Sequence, residues 1–208
     1  PLRINNMTGI VSQNVGRTSG LVKAVSGGGT WTLIETLTSD GSDADLSFTS
    51  GIDSTYPIYR FTWINIHPET DGANFTFQAN AAAGSGYNET MTTTAYQAQK
   101  SESGSDELSY EGGSDQAQGT AFQAIGWEVG NDNDQGCSGE LWLFDPSSTT
   151  FTKQYLSVCN MYRYNNYSQQ YRTAGYINTA SAIDEIQFKF SADEIQAGKI
   201  KLYGLGDS

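Results

Sequence analysis

Cations, histidine, cysteine and branched aliphatic residues are all scarce in this 208-residue sequence, and each shortage excludes something. Eleven Lys and Arg stand against 23 Asp and Glu, a net charge of −12 with a pI near 4.3. Sequence-independent nucleic-acid binding needs a basic surface that releases counterions, so no nucleic-acid partner is expected. A single histidine, His67, rules out a multi-histidine metal centre, and no G-x-S-x-G nucleophile elbow exists for it to serve. Two cysteines cannot form a disulfide framework. No apolar run approaches the ~18 residues of a membrane span, so membrane insertion is not expected. The opening PLRINNMTGIV has no basic-then-apolar stretch, so no secretory leader is expected. Leu, Ile, Val and Phe number 39, just under the ~20% below which a charged chain tends to disorder. The aromatics contradict disorder: 4 Trp, 12 Tyr and 9 Phe are what a disordered chain lacks. The core is therefore aromatic rather than leucine-rich.

What is abundant is turn-forming and polar: Gly, Ser, Thr and Asn total 79 residues, which disfavours long helices. From Thr30 onward the apolar period is two. In Ile58–Ile66, Tyr59, Phe61 and Trp63 share one face, and Ile200 and Leu202 oppose Lys199, Lys201 and Tyr203. Such runs predict about eleven strands, near 30–37, 45–49, 57–66, 73–80, 90–98, 121–129, 139–144, 151–159, 170–178, 184–190 and 198–204. The fold class this implies is all-β: an antiparallel β-sandwich or jelly roll over residues 28–208. Residues 1–27, which carry Arg3, Arg17 and Lys23 and no acid, read as an extended N-terminal arm. Its Arg3, Ile4, Ile10, Val11, Arg17, Leu21 and Lys23 are the expected partner-binding residues. One helical turn is expected at Ser191–Gly198, with Ser191 as cap and Gly198 as stop. The acidic segment 101–120 reads as a long surface loop, with a short strand at Leu108–Tyr110.

Few constellations suggest chemistry, and an enzyme is not expected. Glu128 and Glu140, each beside a Trp, are the carboxylate pair to inspect for glycoside hydrolysis. Asn131–Gly136 is rich in oxygen ligands, but its twelfth position as an EF-hand would be Trp142, so that motif fails; Asp40, Asp43 and Asp45 are another oxygen-rich turn. No metal or cofactor is expected. If strands 139–144 and 151–159 form a hairpin, cross-strand partners sum to about 295 or 296, which sets Cys137 and Cys159 (sum 296) opposite or one residue off and within disulfide reach. Whether they are oxidised depends on the compartment. Tyr162, Arg163, Tyr164, Asn166, Tyr167 and Tyr171 lie in one loop-like stretch of the kind that recognises sugars or proteins. Four N-x-S/T sites, at Asn6, Asn74, Asn88 and Asn166, match chance in so Ser/Thr-rich a chain.

Several phrases carry a family resemblance. They are Ser47-Phe-Thr-Ser-Gly-Ile-Asp-Ser-Thr-Tyr56, Ile64-Asn-Ile-His-Pro-Glu-Thr-Asp71, Glu140-Leu-Trp-Leu-Phe-Asp-Pro-Ser-Ser-Thr-Thr-Phe151, Ala180-Ser-Ala-Ile-Asp-Glu-Ile-Gln-Phe-Lys189 and Gly198-Lys-Ile-Lys-Leu-Tyr-Gly204. Together, over residues 30–204, the chain resembles small structural proteins of marine and aquatic tailed bacteriophages, including cyanophages. The resemblance implies a place, the virion, and no catalytic residues. The expectation is a non-enzymatic virion protein, made in the host cytoplasm and displayed on the particle exterior as a capsid decoration protein. The alternative is a tail-fibre or appendage module binding host-surface glycans. Its partners would be capsid or tail subunits, with self-association, a trimer among the options.

Overall fold

The computed structural model describes residues 29–82 and 84–206; the arm residues Arg3 to Lys23 lie outside them. Among the described residues there is no helix. Thirteen strands form: β1 (Trp31–Thr38), β2 (Leu46–Phe48), β3 (Ile58–Pro68), β4 (Ala73–Ala81), β5 (Met91–Ser101), β6 (Asp106–Tyr110), β7 (Ala117–Gly119), β8 (Gln123–Val129), β9 (Gly136–Phe144), β10 (Lys153–Tyr162), β11 (Tyr167–Ile177), β12 (Ile183–Phe190) and β13 (Ile195–Leu205). All pairings are antiparallel. The large sheet has nine strands in the order β1-β13-β3-β9-β10-β11-β5-β6, with β7 also on β5. The small sheet runs β2-β12-β4-β8.

The period-two pattern explains how the sheets meet. Tyr59, Phe61 and Trp63 of β3 and Leu141 and Leu143 of β9 face inward from the large sheet. Phe48, Phe75, Phe77 and Phe188 answer from the small one. Phe188 is the hub, its ring 5.3 Å from Phe61, 5.9 Å from Phe75, 6.2 Å from Phe48, 6.3 Å from Trp63 and 6.4 Å from Phe77. Edge and offset rings of this kind fill a core that has few aliphatics. The sandwich is thus closed by aromatics, as the composition implied. Gly139 is required here: a Cβ on it would meet the Trp63 ring and the Val158 carbonyl.

Three expectations are corrected. The segment 101–120 is not mainly a loop. It forms β6, longer than expected, and β7, both on β5, and buried glutamines tie it down. Gln123 Nε2 donates to Ser114 O at 2.9 Å, and its Oε1 accepts from Thr93 Oγ1 at 2.7 Å. The helical turn at 191–198 does not form. Ser191 Oγ accepts from the Asn74 amide at 2.9 Å across the sheet instead of capping a helix, and Asp193 takes φ +52°. Ile195 is buried and pairs with Pro68, so tertiary burial overrides a weak local signal. Finally, the β9–β10 hairpin has a wider turn than expected. Leu143 pairs with Tyr155 and Gly139 with Cys159, a partner sum of 298. Cys137 and Cys159 are therefore diagonal, on the same inward face, rather than opposite.

Two buried features yield predictions. Gln78 and Gln169 are both fully buried. Gln78 Nε2 donates to the carbonyls of Glu89, Thr120 and Ala121 at 3.0–3.1 Å, whereas neither polar atom of Gln169 finds a partner. Leaving buried carbonyls without a donor is costly, and removing an unpartnered amide is not. Gln78→Leu is thus expected to cost about 2–3 kcal/mol and Gln169→Leu less than about 1, read by urea denaturation. Equal losses would contradict the hydrogen-bond account. Burial also lifts the phenols of Tyr155 and Tyr171 above their usual value of 10, Tyr171 to about 12. Above pH 10 the unfolded chain loses protons that the folded one keeps, so stability falls as pH rises. The expected slope is about 1.4 kcal/mol per pH unit per tyrosine, absent for Tyr171 in Tyr171→Phe.

Candidate functional site

The small sheet covers one face of the large sheet; the registers define the other, outward face row by row. One row runs Trp31, Leu205, Ile58, Phe144. The next runs Leu33, Tyr203, Arg60, Trp142, Leu156, Ala174. A third runs Thr36, Lys201, Thr62, Glu140, Val158, Arg172, Tyr96, Tyr110. Leu33, Leu156, Tyr96 and Tyr110 are all exposed. At its centre the Trp31 and Trp142 rings meet edge to face, centroids 5.2 Å apart, and the Arg60 guanidinium lies beside both, 5.6 and 5.4 Å from their centroids, and pairs with Glu140. An arginine held against indole rings presents a weakly hydrated cationic surface.

Charge sets this face apart. Its strand residues hold five cations (Arg60, Lys100, Arg172, Lys199, Lys201) against two carboxylates (Asp106, Glu140), a net +3, with the loop carboxylates Glu102 and Asp134 standing at its polar end. The other described residues hold three cations against twenty carboxylates, a net −17. Arg60 pairs with Glu140 and Lys100 with Asp106. Arg172, Lys199 and Lys201 have no ion pair among the described residues.

Beyond these rows the face turns polar. Asn65, Ser138, Asn160 and Gln170 are followed by Gly136, Tyr162, Ser168 and Lys100. A cleft of about 700 Å³ opens here, lined by Asn65, His67, Asn133, Asp134, Gln135, Ser138, Asn160, Tyr162 and Gln196. A second concavity of about 420 Å³, with Lys100, Glu102 and Ser168, shares Asn160, Met161 and Tyr162 with it. Asn65, at φ +51°, sits on a bulge between β3 and β9 that locally breaks the ladder and aims it differently from its neighbours.

The tyrosine-rich stretch is a hairpin end rather than a free loop. β10 runs to Tyr162, β11 starts at Tyr167, and Arg163 N donates to Tyr167 O at 2.9 Å. Arg163 is a bracket and not a surface residue. It is mostly buried, pairs with Glu128, donates to Gln99 Oε1 at 2.6 Å and lies under the rings of Tyr164 and Tyr167. Burial lowers the proton affinity of its guanidinium. Tyr171 is fully buried and stacks on Trp127, so it cannot meet a ligand. Tyr164 and Asn166 are exposed, and Tyr162 and Tyr167 half-buried. The Tyr162 hydroxyl donates to Glu102 at 2.9 Å, and that bond to a carboxylate raises its pKa.

The remaining candidates separate. Glu128 and Glu140 belong to different sheets, and each is held by its own arginine, so they do not face one another across a site. His67 is half-buried, its Nδ1 2.9 Å from the Gln135 carbonyl, at the cleft wall. In the Asn131–Gly136 stretch the Asn131 amides bind Asp71 and Glu69 O, and the Gln135 amide donates to Asp132 O. Asp40 and Asp43 accept from local amides as turn formers. No group of three or more metal-ligating residues occurs among the described residues. Cys137 and Cys159 are buried free thiols; burial first, and the neighbouring Cys159 second, push the Cys137 thiol well above the usual range. A thiol held protonated is a poor nucleophile.

Sequence reasoning missed the Trp31–Arg60–Trp142 cluster and the shared placement of Arg172, Lys199 and Lys201. Alternation along β13 exposed Lys199 and Lys201 together, but no local signal says that β13 lies between β1 and β3. Comparison with protein-family models, curated proteins and solved structures found no significant match to this chain.

Proposed function

We propose that this chain is a non-enzymatic structural protein of a tailed-bacteriophage virion, a decoration protein on the capsid exterior, docked through the face of its large sheet that the described residues leave uncovered. The observation that carries the docking mode is the segregation of charge: a net +3 aromatic face on a chain that is otherwise strongly acidic. Such a face fits an acidic patch on a neighbouring subunit. The charges steer encounter and register, and the half-exposed Trp, Leu and Tyr side chains supply the buried area. The placement in a virion is supported by the phrases at 47–56, 64–71, 140–151, 180–189 and 198–204.

The test is incorporation. Lys199→Glu with Lys201→Glu reverses charges that make no ion pair or side-chain hydrogen bond among the described residues, so the chain should fold as before. Purified phage assembled with this double variant should carry little or none of it. Unchanged incorporation would sink the docking face. Copy number in images of the intact particle tests the placement: hundreds of copies support decoration, a few dozen or fewer favour an appendage. The second reading, a host-binding appendage module, draws on the polar concavities beside Tyr162.

A further inference from the structure

We propose that the paired concavities on either side of Tyr162 form one binding groove for a neutral oligosaccharide. The two share Asn160, Met161 and Tyr162, so together they make a continuous depression across the ends of β3, β9, β10 and β11. Each lies in the size range that holds a ligand of drug size, which is that of a di- or trisaccharide.

The wall chemistry selects the ligand. The side chains of Asn133, Asn160 and Gln196 make no hydrogen bond to a described residue, and that of Asn65 has only a 3.5 Å approach from Ser138 Oγ. A carboxamide offers two donors and an acceptor, and a sugar hydroxyl both donates and accepts, so an amide-lined wall matches a polyol in any hydroxyl orientation. Tyr162 adds a ring on the shared ridge, so a sugar's C–H face has an apolar surface to rest on.

The ridge is held in place before any ligand arrives. Tyr162 is fixed by Glu102 and approached by Asn166 Oδ1 at 3.2 Å; the turn behind it is bracketed by buried Arg163. Preorganised walls lower the ordering cost of binding. The groove carries one cation, Lys100, against two carboxylates, Asp134 and Glu102, a net −1 that disfavours an anionic chain. The groove lies beyond the aromatic rows, so this site does not depend on the docking role proposed above.

An array of neutral di- to hexasaccharides, followed by titration calorimetry with the best binder, tests the proposal. Asn160→Ala removes an exposed side chain with no internal partner and should leave the thermal midpoint unchanged while weakening binding about tenfold. Tyr162→Phe keeps the ring and should bind close to wild type; Tyr162→Ala should not bind. The side-chain amide NMR signals of Asn65, Asn160 and Gln196 should shift on addition of the sugar. Lys199→Glu with Lys201→Glu should bind the sugar normally, which separates failure here from failure of the docking face. No binder on the array, or a binder unaffected by Asn160→Ala and Tyr162→Ala, would overturn the site.

Discussion

Phe188→Ala is expected to lower folding stability by about 4 kcal/mol. The ring touches five others, two on the large sheet (Phe61, Trp63) and three on its own (Phe48, Phe75, Phe77). Truncation therefore removes transfer free energy and also opens a cavity between the two sheets. Neighbours cannot collapse into it easily, because Phe61 and Phe75 are fully buried on strands paired on both sides. For a domain of this size the midpoint should fall by roughly 8–16 °C. Phe188→Leu, which keeps much of the volume, should cost only about 1–1.5 kcal/mol. Urea denaturation of the three proteins checks the series. A loss below about 2 kcal/mol for the alanine variant would show that the hub is not where the core is concentrated.

The second large effect concerns a charge inside the fold. Lys153 is fully buried at the start of β10. Its ammonium donates to the carbonyls of Ser148, Phe151 and Thr179, the last two at 3.0 and 3.1 Å. Three donors meet three acceptors, so the burial penalty is met by hydrogen bonds rather than by a carboxylate. Desolvation still lowers its pKa, opposed by Asp145 and Glu89. Through these bonds Lys153 ties the β9–β10 connection to the segment after β11, where Ile183 N also donates to Pro146 O at 2.8 Å. Lys153→Met preserves length and apolar stem but strands three buried carbonyls. We expect a loss of about 3 kcal/mol and faster hydrogen exchange at residues 146–152 and 179–183. A neutral Lys153→Met would mean that the carbonyls reach water, and the tie would be incidental.

The eleven strands read from alternation are all present, and the reasons are particular. Tyr59-Arg60-Phe61-Thr62-Trp63 and Ile200-Lys201-Leu202 place apolar and polar side chains on opposite faces of the sheet, and a period of two has only that solution. The aromatic core was legible for the same reason: Phe48, Phe61, Phe75, Phe77 and Phe188 all occupy inward positions of their own strands. Local reading failed where long-range contacts outweighed it. Ser191 was claimed by the Asn74 amide, Ile195 by burial against Pro68, and the acidic 101–120 segment by Gln123 and β5.

The chain's overall shortage of cations has a spatial counterpart that composition cannot express. Sequence established an acidic, aromatic, all-β chain, because charge, composition and alternation are local properties. Strand order established the rest. With β13 set between β1 and β3, and β10 between β9 and β11, five of the eight described cations gather on the face that the described residues leave uncovered; Asn65, Asn160, Tyr162 and Gln196 gather at its end. Pairings between strands more than a hundred residues apart carry no local signature. They are selected jointly by burial of the inward aromatics, and the outward face is what that selection leaves exposed.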